Sequence, residues 1–405
     1  MLYAAYQANA DALAPMRIMS AVTAGALGRL PPESADNWFV RSAIAGAEVT
    51  SRLALTHKRP DFAIGTVKVG GEDVAVREEA AHATPFGTLL HFAKDSAAIQ
   101  PKMLVIAPLS GHFATLLRGT VTTMLADHDV YVTDWHNARD IALHHGRFGL
   151  DEYVAHLIDW LERIGPGAHA MAVCQPCVPA LAAAALMAED DNPAQPRSLT
   201  LMAGPVDGRV NPTSVNIVAC ARPISWFERN VVDTVPLRFR GAMRRVYPGF
   251  VQLAAFLNMN RARHRAAFAG LYDDLVEGNG ERAASTMRFY DEYFAVLDLT
   301  AEFYLETVQA IFQDHLLARG RLTWRGRRVD PAAITRTGLL TIEGERDDIC
   351  SAGQTMAAHD LCTGLSPARK RQHLQPGVGH FGVFSGRRWE TEIYPLVRTI
   401  VLASD

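Results

Sequence analysis

The sequence predicts an α/β fold, with a mostly parallel central sheet, helices on both faces, an N-terminal helical segment and a helical cap inserted late in the chain. Three observations carry this expectation. Short apolar runs alternate with helical patterns up to Gly204, the alternation lapses over residues 205–335, and it resumes at Thr337. Strands that alternate with helices imply parallel pairing through crossovers. The expected divisions are therefore residues 1–60 (helical segment), 61–204 (first part of the core), 205–335 (cap) and 336–405 (second part of the core).

The first 60 residues read as two helical stretches separated by "LPPE" at Leu30–Glu33, with apolar positions spaced for burial on one side against the core. "FAIGTVKV" and "VAVREE" flank Gly70 and Gly71 as the arms of a hairpin would, and "GTLLHFAK" offers a third strand. The alternation then runs through "KMLVIAPL", helical "HFATLLRGTVTTML", "DVYVTDW", helical "YVAHLIDWLERI", "HAMAV" and "SLTLMAG". The interruption is rich in aromatics, among them Trp226, Tyr247, Phe289, Tyr293 and Phe303. "TGLLTIEGERDD", "RKRQHLQP" and the helix "WETEIYPLVRTIVLA" complete the pattern.

Bulk properties exclude several classes. Lys+Arg at 40 against Asp+Glu at 43, for a formal net charge of -3, gives no basic surface for nucleic acid. No run reaches the roughly 18–20 apolar residues of a membrane span, and Asp11 and Arg17 interrupt the N-terminus where a secretory signal needs its apolar core, so a soluble, unprocessed chain is expected. Five cysteines in 405 residues are too few and odd in number for a disulfide framework, which favours a reducing cytoplasm. No zinc-ligand spacing and no phosphate or dinucleotide loop occurs, so neither metal nor cofactor is expected.

The stretch "HAMAVCQPCVPALAAAAL" places Cys174 between a strand and an alanine-rich helix. A nucleophile on such an elbow stands above the sheet and faces the helix N-terminus. The usual form is G-x-S-x-G, and Ala172, Cys174 and Pro176 replace its three defining residues. Cysteine suits the position because the thiolate attacks, and a helix N-terminus and a histidine stabilise it. A buried inert thiol, or a C-x-x-C redox pair with Cys177, are the competing readings. Asp347 and Asp348 follow the next strand and His380 lies in the glycine-rich turn "GVGHFG". Nucleophile, acid and histidine in this order match the α/β-hydrolase triad. Either aspartate could alternatively cap a helix, and His380 could be a surface-turn residue.

Acyl transfer also needs donors for the developing oxyanion. "APLSGH" closes the first crossover strand; Pro108 has no N–H, so Ser110 is favoured, with Leu109 second, partnered by the N–H of Gln175. Nearby His112 is read as packing at a helix start, with a direct catalytic role as the alternative.

With these segments the chain resembles the intracellular poly(3-hydroxybutyrate) depolymerases. The resemblance runs nearly end to end and rests on "APLSGHFATLLRGTV", "VYVTDWHNAR", "VCQPCVPALAA", "GPVDGRVNPT", "RRVYPGF", "RFYDEYFAVLDL", "EGERDDI", "SAGQTMAAHDLC" and "GHFGVFSGRRWETEIYP". It implies an α/β-hydrolase that cleaves amorphous polyhydroxyalkanoate at storage granules in the cytoplasm, through Cys174 as nucleophile, His380 as base and Asp347 as its partner. Asp348 would then be structural, and Cys177 departs from the Ser or Thr of the family. The cap would enclose a greasy chain, and the first 30 residues would pack on the core in preference to adsorbing to a granule. Rival readings are a polyester synthase-like acyltransferase with the same triad, a thiol-disulfide oxidoreductase, and a silent granule-coating protein.

Overall fold

The computed structural model describes residues 2–31, 37–96 and 98–405, so the "LPPE" break falls partly outside the described residues. Nine strands form one central sheet: β1 (Thr66–Val69), β2 (Glu72–Ala83), β3 (Gly87–Lys94), β4 (Lys102–Ile106), β5 (Asp129–Trp135), β6 (His169–Val173), β7 (Ser198–Met202), β8 (Gly338–Gly344) and β9 (Lys370–Gln375). Their spatial order is β1-β2-β3-β5-β4-β6-β7-β8-β9. The first three pair antiparallel and β3 runs antiparallel to β5, while every pair from β5 to β9 is parallel. Gly70 and Gly71 turn the opening hairpin with φ of 59° and 94°, a conformation that costs glycine nothing.

This mixed sheet with crossovers and helices on both faces is an α/β-hydrolase fold. The two faces follow from alternation along the strands. Leu104, Ile106, Ala170 and Ala172 point to one side, toward α4 (Leu150–Ile164) and α5 (Cys177–Glu189). Met103, Val105, Met171 and Val173 point to the other, toward α3 (Arg118–Met124) and the C-terminal helix at Tyr394–Ser404. Every residue of α5 from Cys177 to Met187 is buried, and its run of alanines lets the helix lie close to the sheet. Strand order reverses at β4, so the loops after β4 and β6 part and leave a crevice at the carboxyl ends of the strands.

The chain between β7 and β8 holds six α-helices among the described residues: α6 (Ser214–Cys220), α7 (Ile224–Asn230), α8 (Gly249–Met259), α9 (Arg261–Glu277), α10 (Gly280–Tyr293) and α11 (Ala301–Thr307). It is not a separate subdomain throughout. Tyr247, Leu297, Phe303, Ile311 and Leu322 share the larger core cluster with α4 and α5, whereas Leu253, Tyr290, Tyr293, Phe294 and Val296 form a cluster of their own around α8–α10. The second group covers the crevice.

The N-terminal segment corrects one expectation. Helix α1 (Leu2–Leu27) lies against α2 (Trp38–Arg52), and only Tyr3 and Ala24 of its described residues are buried. Tyr3 is the anchor: its hydroxyl donates to buried Asp298 at 2.7 Å, and its ring meets Phe250 edge-on. Beyond that clamp, Ile18 (63% exposed), Met19 (66%) and Val22 (62%) face solvent, as do Trp38 (62%) and Phe39 (74%) on α2. A helix that carries apolar residues on all sides cannot turn a single stripe inward, so packing on the core is confined to one end. No helix among the described residues is long and apolar enough to cross a membrane.

Candidate active site

The crevice brings together residues that lie far apart in sequence. Cys174 directly follows β6, and its φ of 65° puts a non-glycine residue in the left-handed region, at a cost of about 1–2 kcal/mol. Its N–H donates to the Met202 carbonyl at 2.7 Å, which pins the turn to β7. The elbow is possible because Gly204 lies underneath: a Cβ there would collide with both the Cys174 carbonyl oxygen and the Cys177 sulfur. Pro176 sits at the N-cap, and α5 begins at Cys177.

His380 opens a single 3₁₀ turn after β9 and is buried. Its Nδ1 is 2.8 Å from Asp347 Oδ2, while Asp347 Oδ1 accepts the N–H groups of Ile349 and Cys350, each at 2.9 Å. Those two bonds fix the carboxylate plane and leave one oxygen for the histidine. The Cys174 sulfur lies near enough to the His380 ring to act on its charge state. Burial disfavours the imidazolium, yet the Cys174 sulfur and the Asp347 carboxylate outweigh it and hold the pKa well above the usual histidine value. Asp348 is exposed and turns instead toward the cap, where it accepts from Asn260 Nδ2 at 3.0 Å.

At the oxyanion position the residues divide. The N–H groups of Ser110 and Gln175 have no hydrogen-bond partner among the described residues. The N–H of Leu109 is taken, because it donates to Gln175 Oε1 at 3.2 Å. Leu109 is thus corrected from a candidate donor to a point of attachment, through which the Gln175 side chain holds the β4 loop against the elbow. His112 is enclosed: Nε2 lies 3.1 Å from the Tyr293 carbonyl, the ring stacks on Phe256 and Tyr293, and burial lowers its pKa to about 4. It joins core to cap as a neutral imidazole.

Cys177 is fully buried, its thiol donates toward the Ala172 and Met202 carbonyls, and burial raises its pKa far above the ordinary thiol value. Such a thiol is a poor partner for disulfide exchange. All five cysteines are free. Among the described residues, no group of three or more His, Cys, Asp or Glu could hold a metal ion.

Two supporting groups escaped sequence reasoning. Glu343, buried at the end of β8, accepts the N–H groups of Gly353, Thr355 and Met356 at 2.7–3.1 Å and so shapes the loop behind Asp347. Thr355 Oγ1 in turn accepts from the Gly204 N–H at 3.0 Å and donates to the Gly204 carbonyl at 2.9 Å. The acid loop and the elbow are thereby tied together. The one available signal was a charge inside the apolar run "GLLTIEG".

The sequence model of a family described as the C-terminus of PHB depolymerase matches residues 203–405, half of the chain. The chain belongs to the PHB depolymerase family. The matched part holds Asp347, His380 and the cap, and starts after Cys174. Family membership makes the chain an ester hydrolase. No curated protein gives a significant match. Solved structures similar to this member of the PHB depolymerase family include a hypothetical protein from Pseudomonas aeruginosa (12% identity, 87% of this chain and 100% of that one, TM-score 0.46). Others are a hydrolase from Pseudomonas aeruginosa PA01 (16%, 81% and 97%, 0.41) and the thioesterase domain from the curacin biosynthetic pathway (12%, 81% and 99%, 0.41). At these scores the fold assignment rests on the sheet itself.

Substituting Gly204→Ala should force the elbow off β7, because neither the backbone oxygen nor the enclosed sulfur can retreat. The expected loss is about 1–3 kcal/mol in urea unfolding, with the same urea dependence.

Proposed function

We propose that this chain hydrolyses amorphous polyhydroxyalkanoate through a thioester on Cys174. The observation that carries the reading is the His380 ring, bonded at Nδ1 to Asp347 and influenced by the nearby sulfur of Cys174 on the strand-to-helix elbow. His380, held above the ordinary histidine pKa, takes the Cys174 proton and keeps it as the sulfur becomes the nucleophile. Sulfur attacks the ester carbonyl, and the N–H groups of Ser110 and Gln175 receive the oxyanion. The imidazolium protonates the departing alcohol, after which neutral His380 activates the water that cleaves the thioester.

The same reading extends to the substrate surface. An insoluble polyester has to be met by apolar protein surface, and contiguous exposed apolar side chains mark such contacts. Exposed Ile18, Met19 and Val22, within about one turn of one another on α1, and Trp38 and Phe39 at the start of α2 supply apolar side chains for that surface. Work at a storage granule in a reducing cytoplasm suits a protein with five free thiols.

Replacing Cys174 by Ala should abolish turnover without a change in melting temperature, and mass spectrometry of the wild type trapped with a short 3-hydroxybutyrate ester should find the acyl group on Cys174. Full esterase activity in Cys174→Ala would end the reading; chain growth from a 3-hydroxyacyl-CoA, in place of acid release, would convert it to an acyltransferase. Since Asp347 helps His380 keep its proton, Asp347→Asn should lower kcat and bring the alkaline limb of kcat/KM to lower pH, the direction in which a lost anion moves a histidine pKa. The triple substitution Ile18→Glu, Met19→Glu, Val22→Glu should cut co-sedimentation with amorphous polymer granules severalfold while circular dichroism stays unchanged.

A further inference from the structure

We infer that the cleft beside His380 receives the carboxylate terminus of the polyester, so that cleavage starts from that end and releases short 3-hydroxy acids; this rests on the hydrolase reading above. A cleft of ≈ 340 Å³ lies between α8 and α9 of the cap and the turns that carry Asp347 and His380. Phe256, Tyr293 and Phe381 give it apolar walls, and two arginines enter it, Arg263 from the cap and Arg346 from the core.

Both arginines are exposed, and neither guanidinium has an ion pair or a side-chain hydrogen bond among the described residues, in contrast to Arg52 with Asp291 and Arg59 with Asp134. The carboxylate that shares the cleft, Asp348, accepts from Asn260. Both charges act on the same wall: burial raises the Tyr293 pKa to about 12, Arg263 opposes that rise and Asp348 adds to it. Two free guanidinium forks against one engaged aspartate leave the cleft cationic, which suits a planar anion.

Position in the reaction identifies that anion. His380 lines the cleft, whereas Cys174 is not among its walls. Histidine delivers its proton to the leaving oxygen, so the leaving fragment lies on its side of the ester. In a poly(3-hydroxyalkanoate) the leaving oxygen belongs to the unit nearer the carboxyl end, and that fragment therefore terminates in a carboxylate. Volume agrees, since about 300 Å³ is the lower end of small-molecule pockets and favours a short fragment over a long run of polymer. In the step, the sulfur–carbon bond forms as the ester carbon–oxygen bond breaks, and the alkoxide takes the His380 proton. The fragment departs as a hydroxy acid with its carboxylate on the arginines. Water then cleaves the thioester, which restores the thiol and leaves a new carboxylate end on the shortened chain.

The test compares the trimer of 3-hydroxybutyrate as free acid with its neutral methyl amide. Wild type should favour the free acid about tenfold in kcat/KM, carried by KM, the scale of one charge-assisted hydrogen bond. The double variant Arg263→Gln, Arg346→Gln should bring the ratio close to one, and Arg263→Lys, Arg346→Lys should restore most of it. A wild-type ratio near one, or a preference that survives loss of both arginines, would overturn the inference while the hydrolase reading stands. Failure of wild type to cleave either trimer would overturn both.

Discussion

Against the Cys174 carbonyl oxygen and the Cys177 sulfur, the backbone at Gly204 approaches the elbow so closely that no side chain could be interposed. That contact determines how the rest of the site is assembled. It lets the chain after β6 turn through a left-handed conformation, and it places the Gly204 peptide where Thr355 can bond both its N–H and its carbonyl. Thr355 belongs to the loop that Glu343 gathers through backbone N–H groups, and the same loop begins with Asp347. Elbow and acid are therefore parts of one hydrogen-bonded body spanning three neighbouring strands, and His380 is positioned against both.

Electrostatics within this body follow from burial. His380 and Asp347 are enclosed, so their attraction is little screened by solvent, and the imidazolium is favoured despite its desolvation. The contrast is His112, equally buried but without an anion beside it, which stays neutral and links the core to the Tyr293 carbonyl. Burial alone thus sets no charge state; the neighbouring anion decides it.

The insertion divides along the same physical line. Where its side chains are large and apolar and meet α4, as Phe303 does in stacking on Tyr153, it is part of the main core. Around α8–α10 its aromatics pack mostly on one another and on Phe381, which leaves a cleft open next to His380.

Much of the fold was legible in the sequence. The runs "KMLVIAPL", "HAMAV" and "GLLTIEG" can be buried on both faces only as central parallel strands, and a strand running directly into an alanine-rich helix limits Cys174 to a tight turn. The order cysteine, aspartate, histidine was likewise readable, because each stands at the carboxyl end of a strand or just beyond it. The residue pattern left Asp347 and Asp348 open and the family resemblance favoured Asp347, but what tertiary structure decided were the pairings across strands: the Asp347 bond to His380, the loss of the Leu109 N–H to Gln175, and the tie from Glu343 through Thr355 to Gly204. Local pattern records which face of an element is buried. It holds no information on which distant polar group meets another, since that depends on the sheet order and on the reach of individual side chains, and the same limit explains why α1, whose apolar residues suggest a core-facing helix, is largely exposed.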